Sequence, residues 1–297
     1  MKINRAIFLS ATFILVAAIV LLSVAILSQG PRTSMVELLT QDGSSAQVDD
    51  LNDGRMTIPY YEGLPTSQYE PDQFLEKDGT VKYLAGNSFI GISVSGKRGG
   101  DIDWEQVAAS GVDFAMIRVG WREQIKGRIK LDPKFQQNIE GATAAGLPVG
   151  VYFFSQAVSD AEAQAEAQFV LEQIRDYSVT YPIAIYWKYA VNDDGSQDPN
   201  SRSVRCNGEQ VTGFIETFCK KIDAAGFTPC YLASKSMAYE SLNLSRLSNI
   251  EFWYAEYKPQ PSFYYDFQMW QYTEEAEVPG VPEKVPVTIA LKEYKAK

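Results

Sequence analysis

The sequence predicts an α/β fold, an irregular TIM-like β/α barrel over about residues 86–297, preceded by an N-terminal transmembrane helix. Two observations predict the barrel. From Ser88 onward, short apolar runs alternate with helical patterns at a spacing that requires parallel strands joined by crossover helices. The run Tyr181–Tyr189 is apolar and is bounded by Pro182 and Gly195, which is typical of a short, buried strand. The strands follow one another more closely near the C terminus, so fewer helices are expected there.

The N-terminal segment has the composition of a membrane anchor. Lys2 and Arg5 precede Ala6–Leu27, a run without charged residues. As a helix this run would be about 33 Å long, enough to cross a bilayer core of about 30 Å. Residues 1–27 are therefore predicted to form a cytoplasmic stub and a single-pass signal-anchor in the cell membrane, with the rest of the chain extracytoplasmic. A cleaved signal peptide is the alternative, although its apolar core is normally only about 7–15 residues long.

Between the anchor and the barrel, the composition changes twice. Residues 28–67 are acidic and rich in Gly, Pro, Ser, Asp and Gln, which predicts a flexible, solvated tether with a short helix at Ser34–Leu39. Phe74–Tyr83 contains Asp78 and Gly79 between two short runs, and this pattern is typical of a β-hairpin. The third predicted unit, residues 68–297, therefore comprises a lead-in hairpin and the barrel.

The barrel elements are predicted from apolar runs and from helix end signals. Asp103 and Ser159 are candidate helix N-caps, Pro133 suits a first helical turn, and Gly146 and Gly226 follow helix ends. The predicted helices are Asp103–Ser110, Asp132–Ala145, Ser159–Tyr177 and Glu209–Ala225. The predicted strands are Phe89–Val94, Val112–Val119, Pro148–Phe154, Tyr181–Tyr189, Pro229–Ala233, Glu251–Ala255, Phe267–Tyr272 and Val285–Ala290.

Composition excludes several classes of function. The net charge of −10 argues against a general nucleic-acid binder. The chain has no histidine, which removes Ser-His and Cys-His nucleophile pairs and most zinc sites. Cys206, Cys219 and Cys230 lack C-x-x-C spacing, so they are expected to be buried thiols, or one disulfide with one cysteine left over. No metal and no cofactor are predicted.

The strand Tyr181–Tyr189 directs two unusual side chains toward a candidate pocket. Residues two apart on a strand point the same way, so Tyr186 and Lys188 share one face and Trp187 takes the other. In a β/α barrel the carboxyl ends of the strands carry the functional site. Neither Tyr186 nor Lys188 is a carboxylic acid.

Seven runs in the chain resemble glycoside hydrolase family 25, the Chalaropsis-type lysozymes that cleave peptidoglycan. They occur in the family's order and cover nearly all of residues 90–294. The resemblance implies a β/α barrel with a sugar groove at the carboxyl ends of its strands. The runs are Gly91–Ser95, Asp101–Trp104, Phe114–Gly120, Asn138–Ala142, Gly150–Ala157, Phe218–Cys219 and Phe267–Thr273.

The same resemblance implies that the catalytic carboxylates are absent. Where the family has an Asp on its first strand, this chain has Ser93. The Asp-x-Glu at the end of the middle strand is replaced by Tyr186 and Lys188, and the Asp of the last strand by Pro286. Glycoside hydrolysis needs an acid for the leaving oxygen and a negative group, or a substrate amide held by one, at the oxocarbenium-like transition state. The chain is therefore predicted to have no catalytic residues of the family type.

Other residues are candidates for the pocket or for ligand binding. Glu256 follows the strand Glu251–Ala255 and is expected at the pocket rim, in a salt bridge with Lys188 or Arg118 or as a relocated catalytic acid. Aromatic side chains at or near strand ends could stack on sugar rings or could belong to the barrel core. The aromatic candidates are Tyr152, Phe154, Tyr186, Tyr231 and Trp270.

Three functional hypotheses follow from these features. The first is a membrane-anchored, extracytoplasmic pseudo-lysozyme, a non-catalytic domain that binds cell-wall glycan such as peptidoglycan or another cell-surface protein. The second is an active peptidoglycan N-acetylmuramidase with relocated catalytic residues. The third is a structural subunit of a membrane assembly in which Ala6–Leu27 packs against other helices.

Overall fold

The computed structural model describes residues 36–39, 43–77 and 79–295, and of residues 36–38 it describes the backbone only. The predicted transmembrane helix Ala6–Leu27 lies outside these residues. Within them, every helix is too short or too polar to cross a bilayer.

Two small antiparallel sheets precede the barrel. The first contains β1 (Val36–Leu39), β2 (Ser45–Asp50) and β3 (Gly54–Pro59), in that order. The second is the hairpin of β4 (Phe74–Lys77) and β5 (Thr80–Tyr83), which confirms the predicted hairpin. A 3-10 helix, Pro71–Gln73, leads into β4.

The first sheet corrects the predicted tether. The chain does not run as a solvated linker over 45–59, because Ala46, Val48 and Ile58 are buried in the main core. The predicted short helix is also wrong over Val36–Leu39, which is a strand. In β2 the alternate residues Ala46, Val48 and Asp50 are buried and only two of them are apolar, so the composition of the segment is that of a polar linker.

Within the described residues, eight strands close into a barrel. A ninth strand, β8, pairs antiparallel with the end of β7. The barrel order is β6, β7, β9, β10, β11, β12, β13 and β14, and β14 returns to pair with β6. The strands are β6 (Phe89–Val94), β7 (Phe114–Arg122), β8 (Ile129–Leu131), β9 (Val149–Ser155), β10 (Ile183–Trp187), β11 (Pro229–Ser234), β12 (Glu251–Ala255), β13 (Met269–Ala276) and β14 (Val285–Ala290).

All four predicted barrel helices are present, a fifth that was not predicted follows β11, and the described helices become fewer toward the C terminus. Asp103 and Ser159 cap their helices as predicted, each accepting a hydrogen bond from the backbone N–H three residues later. Strands β12, β13 and β14 follow one another without helices. The helices are α1 (Trp104–Ala109), α2 (Phe135–Ala144), α3 (Asp160–Gln173), α4 (Gly208–Ala224) and α5 (Lys235–Glu240), with a 3-10 helix at Arg202–Arg205.

The last strand differs from the parallel arrangement that the sequence predicts. β14 is antiparallel to both of its neighbours, β13 and β6. Its first residues therefore lie at the same end of the barrel as the last residues of the parallel strands. The register pairs Val287 with Ile92, so Pro286 comes opposite Ser93.

Apolar side chains fill the barrel interior at the end where the parallel strands begin. Phe114 stacks on Tyr181 with ring centroids 4.1 Å apart, and Gly91 leaves room for the Phe114 ring. A Cβ at Gly91 would lie 2.2 Å from Phe114 Cζ. This packing closes one end of the barrel and leaves the other end for a site. The interior cluster also contains Met116, Ala184, Cys230, Leu232, Trp253, Met269 and Ala290.

The three cysteines are free thiols, which is the first of the two arrangements that the sequence allows. Cys219 and Cys230 are buried, and burial raises the pKa of both thiols above the ordinary cysteine value. Cys206 is partly exposed, and burial likewise raises its pKa. None of the three is therefore poised as a thiolate.

Candidate functional site

A cavity of about 420 Å³ opens at the carboxyl ends of the parallel strands. Ser93, Tyr186, Lys188 and Pro286 all line it. These residues come from β6, from β10 and the residue that follows it, and from β14, and the antiparallel course of β14 brings Pro286 to the same end. The structure thus brings together the four positions singled out in the sequence. Tyr152 and Phe154, two of the predicted aromatic candidates, line the same cavity.

The cavity wall carries more positive than negative charge. Lys97, Arg98, Arg118 and Lys188 line it, and Glu274 is the only carboxylate among its described lining residues. Arg98 pairs with Glu274 at 3.4 Å, with both side chains half exposed. The cavity therefore presents cations where a glycoside hydrolase presents acids.

Arg118 is held in place from two sides. Its Nε donates to Asp132 Oδ2 at 2.7 Å, and the Asp132 side chain is fully buried. Asp132 also accepts hydrogen bonds from the backbone N–H groups of Gly96 and Lys134. The guanidinium lies over the Trp121 ring at 5.1 Å. Asp132 is fully engaged in these contacts, so it positions Arg118 and is not an available acid.

Four described tyrosines line the cavity, and two of them, Tyr152 and Tyr186, are predicted aromatic candidates. Tyr186 packs edge-on against Phe154 with centroids 5.4 Å apart, and Tyr152 packs edge-on against Trp253 at 6.2 Å. Burial raises the pKa of Tyr152 to about 12 and also raises the pKa of Tyr186. Both phenols are therefore protonated at neutral pH, so they are hydrogen-bond donors and poor nucleophiles.

Ser93 and Lys188 have polar groups that the protein leaves available. Ser93 is 4% exposed, and its Oγ has no hydrogen-bond partner among the described residues. The Lys188 side chain is exposed and forms no ion pair within that part of the chain. The main chain beside it is fixed, because Gln156 Nε2 donates to the Lys188 carbonyl and Trp187 Nε1 donates to the Ala157 carbonyl at 2.9 Å.

Tyr231 and Trp270 are not in the cavity, which corrects the prediction. Tyr231 stacks on Phe252 with centroids 4.6 Å apart, and Trp270 donates from Nε1 to the Glu256 carbonyl at 2.9 Å. Both lie on the outer face of the barrel wall and belong to the main core. Their neighbours Leu232 and Gln271 face the cavity instead, because alternate residues on a strand face opposite sides. Each aromatic residue therefore lies one position away from the residue of its strand that faces the cavity.

Glu256 is also outside this cavity, and its partner differs from the one predicted. Its carboxylate lies 2.8 Å from Lys235 Nζ, and it accepts hydrogen bonds from Ser262 and Asn52. Asp50 and Asp53 approach the same ammonium at 2.8 and 2.6 Å. Lys188 and Arg118 take no part in this ion pair.

Lys235, Asp50, Asp53 and Glu256 form a group that we call the Lys235 cluster. Its three carboxylates are the ones among the described residues that lie close enough together to hold a metal ion. Oxygens of Asp50, Asp53 and Glu256 all lie within 4.8 Å of one another. The Lys235 ammonium contacts all three carboxylates and offsets one of their three negative charges, so the arrangement fits an ion-pair cluster that fastens the β1–β3 sheet to the barrel. It does not resemble a vacant metal site.

Sequence reasoning missed several residues of the cavity wall. Lys97 and Arg98 belong to the turn after β6, and Gln271 and Glu274 to β13. A usable signal exists for Arg118, because it has the same strand parity as the interior residues Phe114 and Met116. The basic pair directly after β6 is a second such signal.

Comparisons with known proteins agree with this fold. The family model described as glycosyl hydrolases family 25 matches residues 94–281. The comparison with curated proteins finds no match.

Several solved structures have a similar fold at low sequence identity. The modular autolysin LytC from Streptococcus pneumoniae is 18% identical, with a TM-score of 0.56 over 86% of this chain and 58% of the autolysin. A family 25 glycosyl hydrolase from Bacillus anthracis is 17% identical, with a TM-score of 0.58 over 74% of this chain and 93% of that one. A muramidase from Acremonium alcalophilum is 18% identical, with a TM-score of 0.56 over 69% of this chain and 94% of that one. At these identities the likeness establishes the fold.

Proposed function

This chain belongs to glycosyl hydrolase family 25. We propose that the cavity at the carboxyl ends of its parallel strands, called the groove from here on, binds a cell-wall glycan of the peptidoglycan type without cleaving it. One observation carries the proposal. Ser93, Tyr186, Lys188 and Pro286 occupy the wall of the groove where the family resemblance implies carboxylates, and the one described carboxylate there, Glu274, is paired with Arg98.

The chemistry of glycoside hydrolysis explains why these residues matter. In most glycoside hydrolases the reaction uses two carboxyl groups about 5–9.5 Å apart, one to protonate the leaving oxygen and one to act as base or nucleophile. The Lys188 ammonium would oppose the positive charge that develops on the sugar. Tyr186 and Tyr152 remain protonated, because burial raises the pKa of each phenol. Glu274 alone cannot fill both roles.

Binding is a separate matter from cleavage, and the groove keeps features suited to it. Aromatic faces from Tyr186 and Phe154, the unpartnered Ser93 hydroxyl and the Lys188 ammonium all face one open cavity. Sugar rings stack on aromatic faces, and their hydroxyls accept hydrogen bonds from such donors. A solved complex of the pneumococcal autolysin contains a synthetic peptidoglycan ligand, which supports peptidoglycan as the class of ligand.

The test measures binding and turnover on the same purified peptidoglycan. The full-length protein is expected to co-sediment with peptidoglycan and to release no reducing ends above a no-enzyme control. Turnover that the Glu274→Gln variant abolishes would identify an active muramidase with a relocated acid. Failure of the parent protein to co-sediment would reject glycan binding.

A restored variant asks whether the rest of the groove is still that of a lysozyme. It combines Ser93→Asp, Tyr186→Asp, Lys188→Glu and Pro286→Asp. Measurable release of reducing ends by this variant, alongside none by the parent, would support loss of carboxylates as the cause of inactivity. A folded variant that binds peptidoglycan and stays inert would show that the loss lies elsewhere in the groove.

We propose in addition that Ala6–Leu27 anchors the protein in the cell membrane with the barrel outside. The charge-free run and the flanking Lys2 and Arg5 support this orientation. Membrane fractionation tests it. The full-length protein is expected to remain in the membrane after alkaline carbonate washing, and a variant that lacks residues 1–27 is expected in the supernatant. Release of the full-length protein by the wash would contradict an integral anchor.

A further inference from the structure

The glycan groove is basic in a protein that is acidic overall. The chain has 27 Lys and Arg residues against 37 Asp and Glu residues. Among the described residues, four cations and one carboxylate line the main cavity. A neighbouring cavity of about 600 Å³ has five cations and one carboxylate among the lining residues that the structure describes. The excess of positive charge is therefore local to this part of the surface.

The two cavities form one continuous surface. They share Lys97, Arg118, Gln124 and Phe154. We call this surface the basic groove and define it by Lys97, Arg98, Arg118, Lys126 and Lys188.

Three lysines of the basic groove keep their full charge available for a ligand. Lys97, Lys126 and Lys188 are exposed, and none forms an ion pair with a carboxylate in the described part of the chain. Two other cations of the neighbouring cavity are neutralised, since Arg122 pairs with Glu166 at 2.6 Å and Arg128 with Glu123 at 2.7 Å.

The middle of the basic groove is rigid and carries an unsatisfied polar group. The buried Asp132 carboxylate and the Trp121 ring fix the Arg118 guanidinium. Ser93 Oγ is buried at the wall without a hydrogen-bond partner among the described residues. Because Arg118 is paired with Asp132, the charge free for a ligand comes from the three exposed lysines. Together with the unpartnered Ser93 hydroxyl in the same wall, they suit a ligand that has both hydroxyls and negative groups.

We propose that the basic groove selects an anionic glycan, a sugar chain that carries carboxylate or phosphate groups along its length. This inference rests on the proposed function, because it concerns the ligand of the same groove. Lys188 stands where the family resemblance implies a catalytic acid, so the substitution that removes an acid also adds a contact for an anion. The anionic groups could be carboxylates of peptide-bearing peptidoglycan or phosphates of an attached polymer.

The test compares three insoluble probes with the full-length protein. They are peptidoglycan that retains its phosphate polymers, peptidoglycan stripped of them, and neutral chitin. The groove variant combines Lys97→Gln, Lys126→Gln and Lys188→Gln. The control variant combines Lys82→Gln, Lys220→Gln and Lys284→Gln, which removes the same charge from exposed lysines that do not line the groove.

The groove variant is expected to bind the anionic probes about tenfold more weakly or worse, because three ligand ion pairs are lost. The control variant is expected to bind like the parent, and parent binding should weaken with added salt. Loss of binding on stripping would assign the anions to phosphates, and retained, salt-sensitive binding would assign them to peptidoglycan carboxylates. Thermal unfolding of both variants checks that each is folded.

Two results would overturn the inference. One is equally tight binding of the parent to neutral chitin and to the anionic probes. The other is equal affinity of the groove and control variants for every probe. Either result without cleavage leaves the proposed glycan binding in place. Charge-selective binding accompanied by cleavage would instead reject the non-catalytic function and keep the anionic selectivity.

Discussion

Replacement of Lys235 by methionine is expected to destabilise the protein by about 3 kcal/mol. The Lys235 side chain is 11% exposed, and its ammonium lies within 2.8 Å of carboxylate oxygens of Asp50, Asp53 and Glu256. Burial by itself lowers the pKa of Lys235, but the hydrogen bonds to these three carboxylates outweigh burial and raise it above the ordinary lysine value. The lysine is therefore charged at every pH at which the protein would be studied.

The magnitude follows from what the substitution leaves behind. Methionine keeps most of the side-chain volume, so the main loss is the cation. The side chains of Asp50 and Glu256 are only 2% and 6% exposed, and without Lys235 they would face each other as buried, like charges. Removal of one partner from a buried ion pair typically costs about 3–5 kcal/mol. Backbone and side-chain donors from Asn52 and Ser262 remain, which places the expected cost at the lower end.

Two measurements check this expectation. For a domain of this size, about 3 kcal/mol corresponds to a fall in melting temperature of roughly 6–12 °C. The cluster joins β2 and the residues after it to the barrel, so limited proteolysis should also cut residues 43–59 faster in the variant. The matched control is Lys258→Met, because Lys258 is an exposed lysine that lines the same surface cavity as Lys235 and Glu256 and forms no ion pair in the described residues. A Lys235→Met protein as stable and as protease-resistant as this control would refute the reasoning.

Two further predictions concern pH and packing. The hydrogen bond from Lys235 is the main reason that the pKa of Asp53 lies below its ordinary value. Asp53 therefore stabilises the folded protein above its unfolded-state pKa, and this contribution is lost as the pH falls through the lower folded-state pKa. In urea unfolding, the difference in free energy of unfolding between the parent and Asp53→Asn should therefore shrink from pH 7 to pH 3. A constant difference across that range would contradict this. Gly91→Ala should lower the free energy of unfolding by about 1–3 kcal/mol in the same assay, because the added Cβ would lie 2.2 Å from the Phe114 ring. An unchanged urea midpoint would show that the ring can move aside.

Local patterns in the sequence predict most of the barrel correctly. Alternation of apolar runs with capped helices gives the order of the elements, and Asp103 and Ser159 cap their helices in the structure. The predictions fail where the signal is not local. β14 reads as one more strand, and only its pairing with β6 and β13 reveals that it is antiparallel.

The site was predictable in part for the same reason. The family resemblance located Ser93, Tyr186, Lys188 and Pro286 from short motifs, and all four line one cavity. Tyr231 and Trp270 are aromatic, and each is the direct neighbour in sequence of a residue that lines the cavity. Their strand parity directs them outward, and parity depends on which face of each strand the closed barrel encloses.

The sequence by itself determined the family, the succession of strands and helices, and the lack of carboxylates at four motif positions, because short-range patterns carry each of these. The tertiary structure alone decided which distant residues meet. It set Lys235 among Asp50, Asp53 and Glu256, and it gathered Lys97, Arg118 and Lys188 from three separate elements into one basic groove. Such meetings depend on barrel closure and strand register, which long-range pairing fixes and local periodicity does not.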